Sequence, residues 1–253
     1  TFIMFYINHI GAQTEIIFDG GSIVMSPNGK VYEEGPHFEE WYKVFDLDDV
    51  VAGAQNIEQE QHKIHAIHDA LVLGVKDYFG KLGFKKAILG LSGGIDSAVT
   101  AGIAIRALGK ENVSVLLMPS QYSSDHSVAD AVTLAENFGI KYDIVPIKGI
   151  YDGFMKELQP LFEGKPFNVT EENLQARARG VLLMGMSNKH GNIVLNTSNK
   201  SEAAVGYGTL YGDMCGGLSV IGDVYKMDVY ALAEYINKDE ELIPVNTITK
   251  PPS

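Results

Sequence analysis

The chain has 253 residues, of which 45% are hydrophobic and 21% charged, an ordinary globular composition that excludes disordered, collagen-like and low-complexity proteins. Twenty Lys and Arg against 32 Asp and Glu give a net charge of -12, which argues against a partner recognised by electrostatics, whether nucleic acid or an anionic membrane. The single cysteine, Cys215, allows neither an internal disulfide nor a cysteine-based zinc site, so a reducing, cytoplasmic setting is expected, and no apolar run reaches the ~18 residues a membrane span requires.

Residues 1–50 read as strands and turns. Residues 2–7 are β-rich, 15–18 lead into Asp19-Gly20-Gly21, 22–25 alternate toward Pro27-Asn28-Gly29, and 41–47 resume the β pattern. The Asn28-Gly29 pair between such runs predicts a hairpin. Between 51 and 63 the composition turns to Glu, Gln, His and Lys, which predicts a solvated connector and a domain boundary. The chain begins without an initiator Met and ends at Pro251-Pro252-Ser253 with no closing element, so it is expected to be an interior stretch of a longer protein.

From residue 64 the apolar positions Ile64, Ile67, Leu71, Val75, Tyr78 and Leu82 recur at helical spacing up to Gly83. Strands are then predicted at 86–91, 113–118 and 142–147, with helices over 95–108 and 127–138 between them. A longer helix over 171–186, a strand at 192–196 and a helix over 226–236 follow. Strand and helix in alternation imply an α/β fold, a Rossmann-like parallel sheet with crossover helices. The histidines at 62, 65 and 68 drift around the first helix and are read as a solvated face rather than a metal set.

The chemistry is concentrated in Leu91-Ser92-Gly93-Gly94-Ile95-Asp96-Ser97, where a buried strand gives way to a helix. Backbone N–H groups and the helix dipole converge there on an anion, glycines allow close approach to phosphate, hydroxyls add donors, and Asp96 offers a carboxylate to the accompanying cation. The segment is neither a Walker loop, which needs GxxxxGK[ST], nor a dinucleotide fingerprint, which needs GxGxxG. A bare strand-to-helix turn with a serine cap is the duller reading.

The hexapeptide SGGIDS resembles the PP-loop of ATP pyrophosphatases, which cleave ATP between the α and β phosphates. Glu172-Asn-Leu-Gln-Ala-Arg177, Leu195-Asn-Thr-Ser-Asn-Lys-Ser-Glu202, Tyr207-Gly-Thr-Leu-Tyr-Gly-Asp213 and Asp223-Val-Tyr-Lys226 together resemble the NAD synthetase family. Residues 6–22 are similar to the last part of the nitrilase-like glutaminase domain that precedes the synthetase in the long, glutamine-dependent form. The resemblance implies three parts: the β-rich end of a nitrilase-like domain over 1–50, a connector over 51–63, and a C-terminally incomplete synthetase domain over 64–253.

What it implies for individual residues is as follows. Gly90, Leu91, Ser92, Gly93, Gly94, Ile95, Asp96 and Ser97 bind the ATP phosphates. Asp96 and Glu202 hold Mg2+, and Thr197 and Lys226 also contact ATP. Asn173, Arg177, Glu202, Tyr207, Gly208, Thr209, Leu210 and Asp213 bind deamido-NAD, the nicotinate dinucleotide. Asp96, Glu202 and Asp213 are the catalytic carboxylates. The implied reaction is amidation of deamido-NAD to NAD through an acyl adenylate, with ammonia from glutamine, release of AMP and pyrophosphate, and a homo-oligomeric enzyme. Another PP-loop amidotransferase, acting on a nucleotide base or on tRNA, and a non-catalytic ATP-binding module are the alternatives.

Two departures from the family pattern matter. The short, ammonia-dependent relatives place a lysine where this chain has Leu210, which favours the long form. Residues 247–253 read as the opening of a Pro-rich mobile loop. The glutaminase works with Glu, Lys and Cys, and its cysteine is expected upstream of Thr1; Cys215 is read as a packing residue.

Overall fold

Glycine spacing and strand-to-helix alternation place the chemistry at one edge of a sheet, and the computed structural model shows which sheet. It describes residues 2–13, 15–53, 62–123 and 125–250. Most of the expected connector, 54–61, and the terminal 251–253 lie outside the described residues. The chain divides into two compact units, Thr1–Leu82 and Gly83–Ser253.

In the first unit, β1 (Met4–Tyr6) is followed by the antiparallel pair β2 (Ile10–Gln13) and β3 (Ile16–Asp19). Next, β4 (Ile23–Met25) and β5 (Val31–Glu34) form the hairpin that Asn28-Gly29 predicts; β4 also pairs with β1. Gly29 takes φ 83° at the turn and its N–H donates to Ser26 O at 3.0 Å. The expected strand over 41–47 is absent: the aromatic run there is irregular, Trp41 and Phe45 packing edge to face, and leads into a short helix, α1 (Leu47–Ala52), capped by Asp46. Helix α2 (Lys63–Leu82) lies against β2 and β3. Its Asp77 accepts from Ala12 N at 2.8 Å and Lys81, one turn on, donates to Ala12 O. The helix that the periodicity marks from residue 64 thus belongs geometrically to the first unit. Of its three histidines, His62 and His65 are exposed, but His68 is buried and paired with Asp69 at 2.7 Å, so the solvated reading fails for that one.

The second unit is the predicted α/β body. Its elements run β6 (Ala87–Gly90), α3 (Ile95–Leu108), β7 (Val113–Leu117), α4 (Asp125–Phe138), β8 (Lys141–Ile144), α5 (Lys148–Leu158) and α6 (Val169–His190). Then come β9 (Ile193–Asn196), α7 (Lys200–Val205), β10 (Leu218–Ser219), α8 (Lys226–Ile236) and α9 (Val245–Thr249). The five strands are all parallel, in the order β10-β9-β6-β7-β8. The chain moves outward from β6 to β7 and β8, then returns to the far side of β6 with β9, so the strand order reverses between β6 and β9. In open parallel sheets ligands bind in the crevice outside the strand ends at such a reversal.

Both faces are covered, which is why the strands read as continuous apolar runs. On one face Ile88, Leu116 and Val194 pack against Ala178 and Leu183 of α6, with Ile150 and Phe154 of α5 alongside. The opposite face carries α3, and α8 packs against α3. A Cβ at Gly102 would lie 2.9 Å from Ile236 Cδ1, so the glycine permits that close helix crossing. Helix α6 starts in a full capping box: Asn168 accepts from Thr170 N at 2.8 Å and Glu171 accepts from Asn168 N at 2.9 Å. Of the loop expected over 247–253, residues 247–249 are instead the end of α9, with Thr247 buried, and the chain leaves the helix at Lys250; 251–253 lie outside the described residues.

Candidate functional site

The strand-to-helix loop builds itself from its own side chains. Leu91 N continues the ladder to Leu116 O at 2.9 Å, and the chain then leaves the sheet. Ser97 Oγ accepts from Ser92 N at 3.3 Å and donates to Gly94 O at 3.0 Å, while Ser92 Oγ accepts from Gly94 N at 3.1 Å. Gly93 is obligatory: its φ is +79°, and a Cβ there would lie 2.4 Å from Ser127 O. Gly94, with extended backbone, occupies the N-cap of α3 and supplies no side chain, so the first-turn N–H groups are left for an external acceptor.

Asp96 lies in that first turn. One carboxylate oxygen accepts from Asn199 Nδ2 at 2.8 Å and the other from the ammonium of Lys226. Asn199 is fully buried and is also the N-cap of α7, where its Oδ1 accepts from Glu202 N at 3.0 Å and Glu202 returns a bond from Asn199 N at 3.1 Å. Burial pushes the Glu202 carboxyl pKa up, and the nearby Asp96 and Asp213 charges add to this, against the Asn199 N–H bond and Lys226. Lys226 is placed by Ser201 Oγ, which accepts from Lys226 N at 3.0 Å, so α7 and α8 are tied at the loop.

A second group forms around the 207–213 turn. Asp213 accepts from Thr209 N at 2.6 Å, and Thr209 Oγ1 donates to Asn173 Oδ1 at 2.8 Å. Arg177, one turn along α6, donates through Nε to Leu210 O at 3.1 Å. Asn173 and Arg177 therefore hold the turn, and Tyr207, Leu210 and Tyr211 stand exposed on it. Tyr211 takes φ 63°, a left-handed conformation unusual for tyrosine.

Between these groups, at the C-terminal ends of β6, β7 and β9, opens a cavity of about 640 Å³, a size suited to a small-molecule ligand. Of the residues singled out from sequence, Gly90, Leu91, Ser92, Thr197 and Asp213 line it. Gly93, Gly94, Ile95, Asp96, Ser97, Glu202 and Lys226 flank it as the loop and its charge cluster. Asn173, Arg177, Tyr207, Gly208, Thr209 and Leu210 form the second group. Cys215 lines the cavity with its thiol pKa raised by burial, which favours the protonated form.

Two residues escaped the sequence reading. Asn196, at the end of β9, donates to Asp213 O at 2.8 Å and accepts from Ser198 N at 2.8 Å, fixing both sides of the crevice. Arg179 lines the cavity from α6. The signal available for both was their position: the last residue of an apolar strand and a charge on the helix face turned to the sheet.

The described residues contain no group of three or more His, Cys, Asp or Glu arranged as a metal site. Mg2+ asks for less, one or two carboxylates with substrate phosphates completing the shell. Asp96 and Glu202, close enough for one charge to raise the other's pKa, fit that donor set. No described helix is long and apolar enough to cross a membrane.

The family model described as NAD synthase matches residues 67–253. The glutamine-dependent NAD(+) synthetase of Synechocystis sp. is 48% identical over 253 residues, covering 99% of this chain and 45% of that protein. The chain spans about half the length of the curated relatives it matches. The structure of glutamine-dependent NAD+ synthetase from Acinetobacter baumannii, in complex with ADP, superposes with a TM-score of 0.91 at 46% identity, covering 98% of this chain and 48% of that one. The NH3-dependent NAD synthetase from Campylobacter jejuni superposes at 0.67 with 37% identity, over 75% of this chain and 78% of that one. With its PP-loop at the sheet's switch point and a family match over three-quarters of its length, the chain belongs to the NAD synthase family.

Proposed function

We propose that this chain carries the synthetase half of an ATP-dependent ligase that amidates deamido-NAD to NAD. The observation that carries this is the pairing of a self-built phosphate loop with a charge cluster and a held turn around one cavity, in a chain 48% identical to a glutamine-dependent NAD(+) synthetase. Nicotinate is a poor acyl electrophile because it is an anion whose leaving group would be oxide. Its carboxylate oxygen therefore attacks the α-phosphorus of ATP, the bond to the β-phosphate oxygen breaks, and pyrophosphate leaves. Ammonia adds to the carbonyl of the resulting acyl adenylate, loses a proton, and expels AMP.

The loop of Gly93 to Ser97 receives the departing pyrophosphate at the α3 N-terminus, where N–H groups meet growing charge. Lys226 and Asn199 hold Asp96 in place, and Thr197 reaches the cavity from the end of β9. Asp96 and Glu202 would hold Mg2+, which would supply charge neutralisation on the phosphates. The 207–213 turn, held by Asn173 and Arg177, seats the dinucleotide, with Asp213 at the cavity wall. Glutamine is the ammonia donor through a nitrilase-like glutaminase, of which the β-rich residues 1–50 are the end. A homo-oligomer in the cytoplasm completes the reading.

The test is stoichiometry. The full-length protein, given ATP, Mg2+ and deamido-NAD, is expected to form one AMP per NAD with either ammonium or glutamine. AMP formation with no NAD, or no dependence on the dinucleotide, overturns the assignment and returns the loop to the other PP-loop chemistries.

A further inference from the structure

The wall that α6 presents to the cavity carries a cation that the chemistry above leaves unused. Arg179 stands two positions beyond Arg177, but lines the cavity together with Ser92 and Thr197 instead of bracing the 207–213 turn. Its Nε donates to Met118 O at 3.1 Å, just past the end of β7, which fixes the plane of the guanidinium. Among the described residues its terminal nitrogens have no protein acceptor and no carboxylate lies within ion-pair distance; Asp213 acts on it only from farther away. Burial draws its pKa below the ordinary guanidinium value, yet it remains charged. A partly desolvated cation without a counter-ion is costly, and an anion entering the cavity answers it.

The position selects which anion. The loop sits at the α3 N-terminus on one side of the sheet, whereas α6 packs on the other, so the two face each other across the ends of β6 and β9. A nucleotide with its terminal phosphates on the loop offers its α-phosphoryl group across those strand ends. We infer that Arg179 binds the α-phosphoryl group of the adenine nucleotide, and the same phosphoryl group once it has become the acyl adenylate. The inference rests on the adenylating reading above and goes beyond it in assigning the retained phosphate to its own residue. A planar guanidinium fork matches two phosphoryl oxygens at once. The α-phosphoryl keeps its negative charge in ATP, in the adenylate and in AMP, whereas the β and γ groups leave. When pyrophosphate departs the loop loses its ligand, and Arg179 still holds the reactive anhydride.

Titration calorimetry on the full-length protein with adenosine, AMP and ATP separates the phosphate from the nucleoside. R179A is expected to weaken AMP and ATP at least tenfold while changing adenosine less than twofold, with R179K intermediate. R179K keeps the stem and the charge and reports on binding should R179A melt early. Unchanged AMP affinity in both variants overturns the inference and leaves the adenylating reading standing. So does a parallel loss of adenosine, which would make Arg179 a wall residue acting through Met118. Wild-type protein that binds none of the three overturns the nucleotide reading itself, and the inference with it.

Discussion

The loop of residues 91–97 and the turn of 207–213 face the same cavity but owe their backbone shape to different sources. The loop is held by itself: Ser92, Gly94 and Ser97 bond one another within six residues, and Gly93 supplies the one backbone conformation needed. The turn has bonds of its own, Thr209 N to Asp213 and Gly212 N to Thr209 O, but is anchored from outside by Asn173 and Arg177 of α6, more than thirty residues away in sequence. A phosphate site needs a fixed concavity that every turnover reuses, and local bonds give it. A seat for a larger dinucleotide is set by whatever positions the turn, and that is a helix packed on the sheet core.

This contrast can be broken at its strongest point first. G93A places a Cβ 2.4 Å from Ser127 O and an alanine at φ +79°, a backbone penalty of ~1–2 kcal/mol before the clash is counted. Misplacing the loop is expected to lower kcat/KM for ATP by more than about 100-fold in a steady-state assay, with a falling Tm. D96N keeps the shape but removes the charge that faces Lys226 and the phosphates. It is expected to lower kcat about 100-fold and to lower Tm as well, since with the amide oxygen kept on Asn199 Nδ2 the amide NH2 faces the Lys226 ammonium, two donors where an ion pair stood.

Smaller effects sharpen the difference. N173A removes the Thr209 hydroxyl's partner, a loss of ~1 kcal/mol. The expected outcome is an increase of about fivefold in KM for deamido-NAD with KM for ATP unchanged; equal changes in both would show that turn and loop are one unit. The smallest effect is in pH. The Glu202 carboxyl has a raised folded pKa, so the native state binds its proton more tightly than the unfolded chain does. Its charged form costs stability above the raised folded value, and that cost fades as pH falls toward the ordinary glutamate range. E202Q keeps the capping-box acceptor without the charge. The Tm gain of E202Q over wild type is therefore expected to shrink as pH is lowered through that window, and a constant gain would remove the electrostatic explanation.

The same contrast sets what the sequence reveals. Loop conformation is dictated by adjacent residues, so the spacing of Ser92, Gly93, Gly94 and Ser97 announces it; α3 and α8 likewise match their predicted bounds because glycines and charges mark their ends. Helix α5 carries no side-chain cap and follows a strand directly, and it escaped. The β-rich residues 41–47 have aromatic propensity but no partner strand, so they stay irregular. Asn196 and Arg179 escaped because their chemistry depends on the strands and helices they meet, which periodicity does not name. His68 is buried where its neighbours His62 and His65 are exposed, because spacing along α2 alone does not say which of its faces is covered.

Asn199 has one further consequence. Its amide oxygen caps α7 while its amide nitrogen steadies Asp96, so a single fully buried side chain joins a helix end to the phosphate loop. Opening α7 frees Asp96 from Asn199 and leaves Lys226 as its partner, and an occupant that holds Asp96 against Asn199 favours the closed α7, coupling the two in exchange with solvent. Deuterium uptake at the Glu202 amide thereby becomes a distant gauge of occupancy on the loop.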